Sequence, residues 1–75
     1  MYWYFIKINE SPTSIIYDFG YESKEIIGRF QYNKVDKKTT FIDNPTNFNN
    51  SHFDYTVLQL IETYGAPDKR VIAYG

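Results

Sequence analysis

The stretch YWYFIKI at residues 2–8 is apolar on both faces of an extended strand: Tyr2, Tyr4, Ile6 and Ile8 fall on one side, Trp3 and Phe5 on the other. Successive side chains on a strand point to opposite faces, so a strand covered on one side only would alternate with polar residues. Apolar character on both sides predicts an interior strand whose second face something else covers. The strand starts beside Met1, so no leader or targeting segment is expected ahead of the fold.

Turn signals divide the chain beyond this strand into short pieces. Glu10-Ser11-Pro12-Thr13 reads as a turn, Ser14 to Tyr21 as a second strand, Glu22-Ser23-Lys24-Glu25 as a turn, and Ile26 to Asn33 as a third strand. Lys34 to Lys38 is a charged loop and Thr39 to Asp43 a short fourth strand. Phe41 and Ile42 point to opposite sides, which leaves the facing of that strand open. Asn44 to Asn50 is an Asn-rich connection carrying Pro45, with Phe48 as the residue that anchors it.

From Ser51 the period changes. Phe53, Val57, Leu60, Ile61 and Tyr64 recur at helical spacing and predict a helix from Ser51 to Tyr64. Ser51 with Asp54 resembles a capping box, and Gly65 followed by Pro67 is a stop. Burying such side chains contributes about 1.5–3 kcal/mol each, or on the order of ten kcal/mol gross, comparable to the net stability of a small domain. The helix therefore needs a sheet to cover. Lys69 to Tyr74 supplies a fifth strand, giving one α+β domain over residues 1–75: a five-stranded antiparallel sheet, β-β-β-β-α-β, spatial order 5-1-2-3-4, with one helix packed on one face.

Cross-strand chemistry proposes a register. A second turn centred on Ser23-Lys24 places Phe19 opposite Gly28, Tyr17 opposite Phe30, Ile15 opposite Tyr32 and Asp18 opposite Arg29. A ring covers the backbone that a strand glycine leaves bare, and an Asp–Arg pair suits a wet face. A first turn centred on Ser11-Pro12 places Ile8 opposite Ile15, Ile6 opposite Tyr17, Tyr4 opposite Phe19 and Trp3 opposite Gly20. The expected core face is then Tyr2, Tyr4, Ile6, Ile8, Ile15, Tyr17, Phe19, Tyr21, Phe30 and Tyr32. Trp3, Phe5, Lys7, Ile16, Asp18, Ile27, Arg29 and Gln31 are left on the opposite face.

Composition bounds the function. The chain has no cysteine and one histidine, so neither disulfides nor a histidine-cysteine metal site can supplement the small core of 75 residues, and a partner subunit is the remaining device. Aromatic residues form 20% of the chain, which suits packing and association. Eight basic and nine acidic residues leave a net charge of −1, with no global attraction to nucleic acid or an anionic membrane. The apolar opening is interrupted by Lys7, too short to span a bilayer, and a cytoplasmic protein is expected.

Candidate chemistry is sparse. His52 lacks a second nitrogen or sulfur ligand, and Ser51, His52 and Asp54 on one helical turn cannot meet as a triad. Glu22 and Glu25 flank an exposed turn, where neither carboxyl would be tuned for acid catalysis. Isolated glycines offer no phosphate-cradling loop, and the Lys34, Lys37 and Lys38 cluster reads as a solvated turn. No cofactor or metal is expected.

The sharper reading is an interaction surface of Trp3, Phe5, Lys7, Ile16, Ile27 and Arg29 on the sheet face opposite the helix. Interfaces enrich tryptophan, phenylalanine, tyrosine and arginine, so the expected function is a non-enzymatic protein-interaction or homo-oligomerising module, its partner a protein or a second copy and not a membrane. The alternative is single-stranded nucleic-acid binding, with bases stacked on rings and phosphates on cations. A small enzyme with no recognisable site is the third reading.

Overall fold

The computed structural model describes residues 2–22, 24–43 and 51–73, leaving aside the side chains of Ser51 and His52. The expected Ser51 cap, the Asn44–Asn50 connection with Phe48, and the Tyr74 end of the last strand lie outside the described residues. Strands β1 (Tyr2–Glu10), β2 (Ser14–Tyr21), β3 (Gly28–Asn33) and β4 (Lys38–Asp43) precede helix α1 (Ser51–Leu58) and β5 (Lys69–Ala73). They form one sheet of five strands in the order β4-β3-β2-β1-β5, every neighbouring pair antiparallel. The α+β architecture and strand order match the sequence expectation, and β1 is interior, between β2 and β5.

The β2–β3 register is the one the cross-strand chemistry proposes, with Phe19 opposite Gly28 and Asp18 opposite Arg29. A Cβ on Gly28 would lie 2.6 Å from Phe19 Cζ and 2.8 Å from the Asp43 carbonyl oxygen, so the ring rests on bare backbone. Only glycine fits there.

The first hairpin departs from expectation. Its turn closes between Ser11 and Ser14, whose N–H and C=O meet at 2.8 Å, and Glu10 pairs with Ile15 and Asn9 with Ile16. The ladder then slips at Ile8 and resumes as Lys7–Tyr17, Phe5–Phe19 and Trp3–Tyr21. Moving the turn by a whole residue along each strand keeps the facing, but the extra residue at Ile8 inverts it, because a single-residue slip sends every side chain to the other face. Trp3 and Phe5 therefore point into the core, while Tyr2, Tyr4 and Ile6 lie on the opposite face. Ile8, expected inside, is 48% exposed.

The core joins Trp3, Phe5, Ile15, Tyr17, Phe19, Phe30 and Tyr32 of the first three strands to Phe53, Val57, Leu60 and Ile72. Phe53 is its hub: ring centroids of Trp3, Phe19, Phe30 and Phe41 lie 5.1, 4.9, 5.4 and 5.2 Å away. Edge-on, tilted and, for Phe41, stacked rings at such spacings add about 0.5–1.5 kcal/mol per pair beyond area burial. Phe41 thus faces inward opposite Phe30, and β4 has its own slip beside Asp43 that sets Ile42 outward.

The helix is shorter than its periodicity predicts. After Leu58 the backbone widens into a π-turn over Gln59–Thr63, with the Tyr64 N–H donating to the Gln59 carbonyl at 3.1 Å. Phe53, Val57 and Leu60 are buried as expected, Thr56 joins them, and the π-turn carries Tyr64 outward to 38% exposure under the Arg70 guanidinium, 3.9 Å from its ring centre. Gly65, at φ +72°, closes the helix, and Ala66 N–H donates back to the Leu60 carbonyl at 3.0 Å.

Candidate interaction surface

Once β1 is turned over, the face away from α1 has a different membership. The β1–β2 and β1–β5 ladders align Tyr4 with Gly20 on one side and Val71 on the other, Ile6 with Asp18 and Lys69, and Tyr2 with Ala73. Ile16 stands opposite Asn9 and Gln31, further along β2. Tyr2, Tyr4, Ile6 and Ile16 are half-buried by their neighbours, while Val71 and Ala73 are exposed. The result is an apolar strip along β1 and β5, with no helix above it among the described residues.

Polar groups border the strip. Asp18 accepts from Arg29 Nε at 2.6 Å and from Arg29 Nη2 at 3.3 Å, the cross-strand pair expected from sequence. This two-pronged bond, with further attraction from Asp43, raises the guanidinium above its already high ordinary pKa. Beside it, Ile26, Ile27 and Ile42 wall a shallow hollow of about 270 Å³ floored by Gly28.

Of the residues proposed for this face, Ile16 and Arg29 occupy it, and Ile27 borders the hollow while packing partly against the core. Trp3 and Phe5 do not: each has 0% exposure beneath α1, so neither is available to a partner in this fold. Lys7 also lies on the helix side, opposite Tyr17, and bonds Glu10 at 2.7 Å with Asp68 3.6 Å away. Glu10 holds a second cation, Lys34, at 2.8 Å. Hydrogen bonds from Lys34 and Lys7 lower the Glu10 carboxyl to about 2, and the Glu10 bond in turn raises the Lys7 amine.

Tyr2, Tyr4, Ile6 and Val71 are the surface residues that the sequence reading missed. Gly20 could not separate the two registers: the rule that set Phe19 over Gly28 also calls for a ring opposite Gly20, and Trp3 meets it in the expected register as Tyr4 does in the observed one. Nothing in the local composition marks the slip at Ile8.

A second concavity, about 410 Å³, opens on the helix side between the β3–β4 turn and α1, lined by Lys37, Lys38, Asp54 and Tyr55 among others. Lys37 is paired there with Glu62 at 3.4 Å. Among the described residues no three His, Cys, Asp or Glu side chains come together as a metal site, and no helix is long and apolar enough to cross a membrane. Comparison with known proteins returns no matching family model, no similar curated protein and no similar solved structure.

Proposed function

We propose that this chain is a non-enzymatic protein-interaction module whose working surface is the open sheet face built on Tyr2, Tyr4, Ile6, Ile16 and Val71. The observation that carries this reading is the second apolar row of β1: Tyr2, Tyr4 and Ile6 form a continuous strip although Trp3 and Phe5 already supply that strand's share of the core. A tyrosine-rich apolar centre edged by Asp18, Arg29 and Lys69 has the composition of a protein interface, with its charges at the rim.

The placement of the cations favours protein over nucleic acid. Lys7 is turned to the other side of the sheet, and Arg29 is engaged by Asp18. A phosphate would have to displace that carboxylate. The test is sedimentation across protein concentration and salt, with a labelled single-stranded oligonucleotide as a parallel ligand. The expected result is association that persists at high salt and is lost in Tyr4→Ser/Ile6→Ser, because its gain is apolar burial. A variant that associates like the wild type, or salt-sensitive retention of the oligonucleotide, overturns the reading.

A further inference from the structure

The outer edge of β5 is built to pair with itself. We infer that two copies of this chain join antiparallel through β5, about a two-fold axis at Val71, into one continuous sheet. This goes beyond the face reading, since the bonds that join the copies are those of the main chain of an edge, with Val71 the strip residue at the axis.

The hydrogen-bond phase of β5 follows from its neighbour. Lys7 N–H donates to the Asp68 carbonyl at 2.8 Å, which makes Lys7–Asp68 a bonded pair of the antiparallel ladder. Bonded and non-bonded pairs alternate, so Phe5–Arg70 and Trp3–Ile72 are bonded pairs as well. The main-chain groups of Arg70 and Ile72 are thus used by β1. Those of Lys69, Val71 and Ala73 point away from the sheet, and all three residues are exposed. An edge with aligned N–H and C=O groups is a template for another strand.

The two edges of the sheet are treated differently. Both edge strands begin with exposed cations, Lys38 on β4 and Lys69 with Arg70 on β5, but at β4 the ladder also slips beside Asp43, a device that discourages pairing. β5 runs against β1 without a slip from Lys69 to Ala73.

Charge then selects the register. A symmetric pairing centred on Lys69 or Arg70 would set like charges face to face. Centred on Val71, the pairing uses the whole of Lys69–Ala73, with Lys69 opposite Ala73 and Arg70 opposite Ile72 of the second copy, so each cation meets an apolar residue. Val71, 45% exposed on the open face, meets its own copy. The apolar strips of Tyr4 and Val71 from the two chains become continuous.

Proline at Val71 is the decisive substitution. It removes an outward-pointing N–H, which an edge strand tolerates where that group faces solvent, and it is read against Val71→Ser, which loses the same apolar side chain but keeps the N–H and should still dimerise. Sedimentation equilibrium over a concentration series should show a dimer for the wild type and a single chain for Val71→Pro, with circular dichroism unchanged. Val71→Cys gives a second readout that does not depend on proline being accommodated. Bonded pairs stand about 5.5 Å apart at Cα, within the roughly 4.4–6.8 Å a disulfide spans, so this otherwise cysteine-free chain should oxidise to a covalent dimer while Thr40→Cys on β4 stays reduced. A wild type that remains a single chain at every concentration, or Val71→Cys oxidising no faster than Thr40→Cys, overturns the inference. A mass that falls with Tyr4→Ser/Ile6→Ser but not with Val71→Pro also overturns it and leaves the face reading standing; the reverse pattern does the opposite.

Discussion

Tyr4 stands directly opposite Gly20 across the β1–β2 ladder, on the face of the sheet that no described helix covers. An aromatic residue is thereby paired with a strand position that has no side chain of its own, as Phe19 is paired with Gly28 on the inner face. The sheet therefore carries aromatic cover on both sides, and the two can be told apart by mutation.

Trp3→Ala should cost about 3–5 kcal/mol, as truncation of a fully buried aromatic does. That is comparable to the stability of a domain this size. Tyr4→Ala, which removes a cross-strand partner from a half-buried position, should cost about 0.2–1 kcal/mol. Urea melts of the two variants decide it, and equal losses would contradict the placement of Trp3 in the core.

Gly28→Ala should destabilise by about 1–3 kcal/mol, the range for overpacking a filled site. The added methyl meets the Phe19 ring and the Asp43 carbonyl, one locked in the aromatic core and the other part of the backbone. Chemical denaturation of this variant should show the loss in midpoint with an unchanged slope.

Leu60→Ala should cost about 2–5 kcal/mol through the cavity it opens. Leu58→Ala, two positions away in the chain and 38% exposed, should fall much nearer to neutral. The pair reports directly on which side of the helix faces the sheet, and thermal melts are sufficient to rank them.

Stability should have an acid limb owed to Glu10. Its carboxyl is held at about 2 against an ordinary 4.5, so its contribution is fully present above about 4.5 and is lost as pH falls toward 2. Lys7 works in the opposite sense: its amine is raised above 10.5, so its contribution is present below that value and lost as pH rises through the raised one. Glu10→Gln should lower the melting temperature at neutral pH, and the difference from wild type should close near pH 2, the folded-state value of Glu10.

The β2–β3 hairpin was legible because its residues are chemically particular. Gly28 needs a ring, Arg29 needs a carboxylate, and one register satisfies both. The first hairpin offered no such constraint near Ile8. Both rows of β1 are apolar, so the hydrophobic pattern is met by either facing, and the residue that chooses between them is itself an isoleucine. The strand order could be read for the opposite reason: interior placement of β1 follows from its two apolar rows whichever one is buried. The end of the helix was hidden similarly, because apolar spacing in Leu60, Ile61 and Tyr64 suits an α-turn as well as a π-turn.

The slip at Ile8 also bears on how such a chain could diversify. With an apolar row available on either side, the facing of residues 2–6 rests on the pairing of Lys7 with Tyr17. A one-codon deletion at Ile8 removes the extra residue, leaves Asn9 opposite Ile16 and Lys7 opposite Tyr17, and should keep Trp3 and Phe5 beneath the helix, whereas a regular pairing that set Ile8 opposite Tyr17 would carry Tyr2, Tyr4 and Ile6 inward. Fluorescence of the lone tryptophan should therefore stay that of a buried ring in the deletion variant, and a shift to the red would show that the alternative pairing had formed instead. Most single-residue losses inside a strand exchange its two faces; here the loss falls on a residue with no cross-strand partner, so β1 can shorten by one without trading its core for its surface.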